Sequence, residues 1–173
     1  MKNLQNTKYN IQYTAILLCL LLTSCKYYNF TGTGKIDADS FQVNYFQNNA
    51  EIIEPGIERT FTLALQDLIQ NQTSLTLTNS GGDLVYEGEI VDFRIAPMTA
   101  TADQRAAQNR LTVSVLVRFT NNRDEEQSFE RRFSHYHDYT GTEQLVGSQL
   151  TQALEQIYER ITQDIFNASL AKW

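Results

Sequence analysis

Cysteine is nearly absent from this chain of 173 residues. The two cysteines, Cys19 and Cys25, both lie close to the N-terminus, so the rest of the chain has no disulfide and no thiol for catalysis or metal binding. The sequence also lacks a G-x-S-x-G motif and a Walker-type phosphate loop. Without a reactive cluster, the sequence predicts a protein that is not an enzyme and has no cofactor.

Histidine is equally rare, and the two copies, His135 and His137, are two positions apart. On a strand they would share one face, but a zinc site needs at least one more protein ligand. The sequence offers no further histidine and no cysteine outside its N-terminal segment. We therefore predict two surface imidazoles near a strand end and no metal site.

Basic residues are outnumbered, and the formal net charge is −6. Two of the 14 basic residues and none of the 20 acidic ones precede Cys25, so the chain from Cys25 onward has a net charge of −8. Such a net charge does not favour nucleic acid or an anionic membrane surface. We expect no nucleic-acid partner.

The only long apolar run covers residues 11–22, after Lys2 and Lys8, and it closes on Leu-Thr-Ser before Cys25. A bilayer-spanning helix needs roughly 20 apolar residues, and this run is shorter. Its pattern is that of a bacterial lipoprotein signal peptide. We expect residues 1–24 to be removed, and the Cys25 thiol to carry a diacylglycerol that anchors the protein through acyl chains such as palmitate.

Residues 25–39 are predicted to be a lipidated tether, and residues 40–173 a single α/β sandwich domain. Apolar residues alternate at 40–46, around 75–77, at 84–95, at 111–120 and at 129–136, which indicates five strands. Two stripes at helical spacing, over 57–69 and 146–165, indicate two helices. The order β-α-β-β-β-β-α predicts an α+β two-layer sandwich, with a mixed sheet of four to five strands and both helices on one face.

Four local signals add detail to this prediction. Residues 80–83, Ser-Gly-Gly-Asp, indicate a hairpin between the second and third strands. A slip in the alternation near Ile90 indicates either a bulge or a stretch that is covered on both faces. Pro97 is expected to end that strand before a loop over 98–108. Thr140 with Glu143 forms a capping-box pattern for the last helix.

Four arginines in the middle of the chain are candidates for contact with a partner or with a lipid phosphate: Arg110, Arg118, Arg131 and Arg132. Ordinary surface charge is the plainer interpretation, with Glu87 and Glu89 as cross-strand partners of Arg118 or Arg131. The more specific interpretation is contact with a lipid phosphate, because a guanidinium can donate two parallel hydrogen bonds to phosphate oxygens.

Six stretches are informative through their order and spacing together: 25–32, 45–50, 61–65, 72–75, 82–90 and 164–167. Together they resemble the LptE family, the lipopolysaccharide-assembly lipoproteins of Gram-negative outer membranes. The resemblance implies a two-layer α/β sandwich that sits within the LptD outer-membrane β-barrel, helps to assemble it, and assists lipopolysaccharide transport to the cell surface. It also implies lipopolysaccharide as a ligand, for which Arg110, Arg118, Arg131 and Arg132 are the candidate contacts, and it places the anchoring lipid on Cys25.

Residue 26, directly after the lipidated cysteine, is lysine rather than the aspartate that retains some lipoproteins in the inner membrane. We therefore expect attachment to the periplasmic side of the outer membrane. An alternative is an accessory scaffold lipoprotein of another envelope machine, such as general barrel insertion, and the list of bound partners distinguishes the two.

Overall fold

The computed structural model describes residues 36–98, 108–140 and 145–171. The predicted signal peptide, Cys25, most of the predicted tether and most of the predicted 98–108 loop lie outside these residues. The elements are β1 (Ser40–Val43), β2 (Gln47–Asn48), helix α1 (Ile57–Gln72), β3 (Thr76–Leu77), β4 (Leu84–Met98), β5 (Gln108–Asn121), a short 3₁₀ turn (Glu125–Gln127), β6 (Phe129–Thr140) and helix α2 (Gly147–Ser169).

The helices form because each carries one apolar stripe, and both stripes are buried against the sheet. In α1, Phe61 contacts Phe46 edge-on at a ring-centroid distance of 4.9 Å and Tyr158 of α2 at 5.3 Å. The Tyr158 hydroxyl donates to the carbonyl oxygen of Ile57 at 3.2 Å, so the first turn of α1 is tied to the middle of α2. The α+β sandwich with both helices in one layer is confirmed.

The long strands β4, β5 and β6 form an antiparallel meander. In β5 the residues that the alternation predicted to face inward are all buried: Leu111, Val113, Val115, Val117 and Phe119. The β4–β5 register shifts between Ile90 and Asp92, which confirms the predicted bulge. The shift keeps apolar side chains on the helix side both before and after Val91.

The predicted hairpin between β3 and β4 is wrong. The strand order is β3-β1-β4-β5-β6, and β1 lies parallel to both of its neighbours. Residues 78–83 cross over β1, and a Cβ on Gly82 would lie 2.9 Å from the backbone nitrogen of Gln42. The Gly-Gly pair therefore marks a close crossing of two backbones. β3 has only two residues, and β1 takes the place beside β4 that a β3–β4 hairpin would need.

Two predicted boundaries also differ. β4 continues through Pro97 to Met98, paired with β5, because no strand among the described residues lies on its other side there and proline is tolerated at such an edge. Thr140 ends β6, and the N-cap residue of α2 is Val146, which makes no side-chain cap. The capping-box prediction is therefore wrong, since Thr140 pairs with Gln108 in the sheet instead.

The chain enters the domain before β1. Ile36 and Ala38 are partly buried against the core, and the backbone N–H of Asp39 donates to the Asp83 carboxylate at 2.9 Å. Neither α1 nor α2 is long and apolar enough to cross a bilayer, and no other helix in the described residues is.

Candidate interaction surface

The sheet face opposite the helices is not covered by any element among the described residues, and we call it the open face. Since side chains alternate along a strand, the even-numbered positions of β5 and β6 point to this face. They are mostly polar or charged, and Ser114 donates to Ser134 across the two strands at 3.0 Å. The open face therefore offers hydrogen-bonding groups to whatever covers it.

Arg110 lies on the open face near the start of β5. Its Nε and Nη2 atoms donate to the two oxygens of Asp138 at 2.7 and 2.8 Å. Its guanidinium carbon also lies 3.6 Å from the centre of the half-exposed Tyr136 ring. The fork from Arg110 holds the pKa of Asp138 below its usual range, so this pair stays charged and closed at neutral pH.

Arg118 lies on the same face toward the other end of β5. It donates to Glu87 at 3.0 Å and to Glu130 at 2.8 Å, which places one guanidinium between two carboxylates on the neighbouring strands. This confirms the predicted cross-strand partnership with Glu87. A shallow depression of about 320 Å³ opens here, and its lining includes these three side chains and Glu89. The lining therefore holds three carboxylates and one guanidinium, so the depression does not favour an anion.

Arg131 and Arg132 are consecutive on β6 and so point to opposite faces. Arg132 lies on the open face opposite Leu116 and has no ion pair or hydrogen bond among the described residues. Arg131 lies on the helix side, with its guanidinium carbon 5.2 Å from the Phe133 ring centre. The four predicted arginines therefore do not form one cluster.

His135 and His137 lie on the helix side of β6, both half-buried. The Nδ1 atom of His137 is 3.1 Å from the side-chain oxygen of Gln156 in α2. The described residues contain no group of three histidine, cysteine or acidic side chains placed to hold a metal ion.

Sequence reasoning missed a clasp at the end of the domain where β1 begins. Arg123, in the β5–β6 connection, contacts Asp83 at 3.0 Å and Asp39 at 2.6 Å. The Asp83 carboxylate also accepts from the hydroxyl of Ser40. The spacing of these residues in the sequence does not predict the cluster. Asp39, Asp83 and Arg123 come together only because β1 lies between β3 and β4.

Residues 38–169 match the family model LptE, described as lipopolysaccharide-assembly. This range holds every helix and strand of the described fold. The chain belongs to the LptE family. LptE proteins are non-enzymatic envelope lipoproteins involved in lipopolysaccharide assembly, so the prediction that this protein is not an enzyme is confirmed.

One solved structure with a TM-score above 0.5 supports the sandwich fold of this LptE-family chain, and two further similar structures score below that value. Protein XCC0632 from Xanthomonas campestris is similar with a TM-score of 0.53 and 10% identity, over 77% of this chain and 84% of that one. Rare lipoprotein B from Shewanella oneidensis has a TM-score of 0.44 and 11% identity, over 73% and 89% of the two chains. The hypothetical protein CT253 from Chlamydia trachomatis has a TM-score of 0.47 and 10% identity, over 78% of this chain and 99% of that one. Comparison with curated protein sequences finds no match.

Proposed function

We propose that this LptE-family protein is anchored by Cys25 to the periplasmic side of the outer membrane, where it assembles with and plugs an LptD-like β-barrel. In that complex it assists lipopolysaccharide transport to the cell surface. The observation that carries the proposal is the family match over residues 38–169. Residues 1–24 would be removed, residues 25–39 would form the tether and residues 40–173 the plugging domain.

The open face supports a role inside a barrel. Large outer-membrane barrels have polar interiors, so a domain that enters one needs hydrogen-bonding groups rather than apolar side chains at its surface. Arg110 and Arg118 are each neutralised by carboxylates on the same face. The open face is therefore polar with little unpaired charge, which suits contact with a polar wall.

Contacts with lipopolysaccharide phosphates fall, in this proposal, on Arg131 and Arg132. Both lie on the edge strand β6, and neither forms an ion pair with another described residue. Arg110 and Arg118 would first have to leave the carboxylates that they already contact. A guanidinium with no carboxylate partner binds phosphate without that cost.

Co-purification tests the proposed partnership. The full-length lipoprotein, tagged at its C-terminus and expressed at its native level, is extracted in a mild detergent. We expect one large β-barrel protein to be recovered with it in a fixed ratio. Recovery of the lipoprotein alone, or with many different nascent barrels, contradicts the proposal.

Membrane fractionation tests the anchor. Cys25→Ser removes the thiol that would carry the lipid, so we expect the variant to leave the membrane fraction. Acyl chains bind through about 0.8 kcal/mol for each buried methylene, which salt does not reverse. The control is Cys19→Ser, which leaves Cys25 intact. A Cys25→Ser protein that still pelleted with outer membranes after a high-salt wash would refute the anchor.

A further inference from the structure

One side of β4 is unpaired over half of the strand. β1 and β2 pair with β4 as far as Ile90, and the backbone N–H of Asn49 donates to the carbonyl oxygen of Ile90 at 2.9 Å. From residue 50 onward the chain leaves the sheet. Residues 91–98 therefore have β5 on one side and, among the described residues, no strand on the other. We call this side the free edge of β4.

The register shows which backbone groups point to the free edge. On β4, Glu89 lies directly opposite Leu116 of β5, and Asp92 lies directly opposite Ser114. Leu116 and Ser114 are two positions apart on β5, so their backbone groups point the same way. The carbonyl oxygens of Tyr86 and Ile90 point to β1 and β2, so Glu89 points to β5. Beyond the bulge the same alternation turns residues 92, 94, 96 and 98 toward β5.

The remaining positions of this half of β4 point outward. The N–H and C=O groups of Phe93 and Ile95 lie on the free edge, and so does the carbonyl oxygen of Pro97. Proline thus stands where its missing N–H removes no bond to β5. The free edge presents two donors and three acceptors at strand spacing, and the complement of such a row is another extended backbone.

The side chains around the free edge also differ from those of the other long edge. β6 carries Glu130, Arg131, Arg132 and Asp138, and charged side chains protect an edge strand from pairing. Residues 91–98 have one acid and one base, Asp92 and Arg94, which contact each other at 3.7 Å.

The chain leaves the sheet after Asn49, where the free edge begins, and it then carries two aliphatic side chains in solvent. Ile52 is 52% exposed and Ile53 is 70% exposed. Phe93 and Ile95 lie on the helix side of β4, where Phe93 is almost fully buried. A strand added to the free edge would therefore place alternate side chains against an apolar border on the helix side and beside Asp92 and Arg94 on the open face.

From these observations we propose that the free edge of β4 binds an extended segment of the barrel polypeptide as an additional strand. The segment alternates apolar and polar residues and is held mainly through its backbone. This inference rests on the proposed partnership with a barrel and assigns the surface that makes the contact. About three or four backbone hydrogen bonds would form along roughly 20 Å of strand.

Site-specific photocrosslinking in cells tests the added strand. Benzoylphenylalanine replaces Arg94, whose side chain is 62% exposed beside the free edge, in the full-length lipoprotein. The matched control replaces Ser134, an exposed residue of the β6 edge on the same sheet face. We expect the label at position 94, and not at position 134, to capture the barrel, with the captured residues two positions apart in its sequence.

Two variants, each with a control, distinguish an effect on pairing at the free edge from an effect on the stability of the whole domain. Ile95→Pro removes one outward donor and leaves the β5 ladder intact, and Ser134→Pro is its counterpart on β6. Ile53→Glu changes an exposed side chain of the segment that leaves the sheet after Asn49, and Leu63→Glu, 46% exposed on α1, is its control. We expect Ile95→Pro and Ile53→Glu to lower the yield of the crosslink about tenfold, and the two controls to leave it unchanged.

Each failure has a distinct meaning. If the barrel co-purifies but position 94 captures nothing, the added strand is refuted and the partnership stands. If the barrel does not co-purify, the partnership fails and the added strand fails with it. If position 94 captures a second copy of this chain, the free edge is a dimer contact and the proposal is overturned.

Discussion

The replacement Gly88→Ala tests the packing of β4 against its neighbours. Gly88 lies on the helix side of β4, where its hydrogen leaves room for the Phe46 ring. A Cβ at this position would lie 2.0 Å from the carbonyl oxygen of Leu116 and 2.9 Å from a ring carbon of Phe46. Rotating the ring relieves the second contact, but the first is with backbone of β5 and is relieved only if the two strands move apart.

The expected cost follows from that difference. Adding a methyl group to a packed core typically costs 1–3 kcal/mol when side chains can adjust. Here the ladder between the two longest strands must shift as well, so we expect a loss of about 3 kcal/mol or more. That is a large share of the 5–15 kcal/mol by which a typical domain is stable. For a domain of this size it corresponds to a fall in the melting temperature of roughly 10 °C.

Thermal unfolding of the full-length protein in detergent, followed by far-ultraviolet circular dichroism, measures the effect. The matched control is Gly81→Ala, where a Cβ meets nothing within 4 Å but the backbone has a φ of +68°. That change carries only the strain of a left-handed alanine, about 1–2 kcal/mol. If Gly88→Ala melts at or above the temperature of Gly81→Ala, the close packing of β4 on β5 described above is refuted.

Two further predictions concern the clasp and the helix layer. Hydrogen bonds from Arg123 and from the backbone of Asp39 hold the pKa of Asp83 in the folded protein well below its usual range. The charged carboxylate therefore stabilises the fold fully above the ordinary carboxylate pKa, and this stability is lost as the pH falls toward the lowered pKa of the folded protein. Asp83→Asn should therefore lower the melting temperature at pH 7, with a difference from wild type that narrows below about pH 4; a constant difference down to pH 2 contradicts this. Tyr158→Phe removes the buried hydroxyl that donates to Ile57 and should cost about 1 kcal/mol in urea unfolding with an unchanged m-value, whereas no loss would show that this bond does not stabilise the helix layer.

The elements that the sequence predicted well are those in which a long apolar pattern has one period. β5 alternates without a break and every predicted inward residue is buried. The stripe of α1 from Ile57 to Ile69 likewise faces the core. The slip in alternation at Ile90 allowed two interpretations, a bulge or a stretch covered on both faces, and the register shows the bulge.

The pairing of the short strands could not be predicted in the same way. The Gly81-Gly82 pair is a turn signal, but it does not say which strand lies beside the turn. β3 has only two residues, so its own alternation cannot distinguish a hairpin with β4 from a place on the far side of β1. In its place between β3 and β4, β1 buries Phe41 and Val43 in the core, and that burial depends on the whole domain.

The candidate surface shows the same limit. Alternation alone places Arg131 and Arg132 on opposite faces, and it places Arg110 and Arg118 on one face. It does not reveal that Asp138 and Glu130 stand beside these last two, because those pairs depend on the exact β5–β6 register. The free edge of β4 was hidden for a related reason, since it exists only because the chain leaves the sheet at residue 50.

The parallel position of β1 has a mechanical consequence. Residues before Ile36 join the domain through β1, which is bonded on one side to β3 and on the other to β4. A pull on the N-terminal segment therefore acts along β1 and loads the hydrogen bonds on both of its sides in shear at once, instead of opening them one by one. The Arg123 clasp contacts Asp39, the residue directly before β1, so the same tension would also load this ion pair where the chain enters the fold.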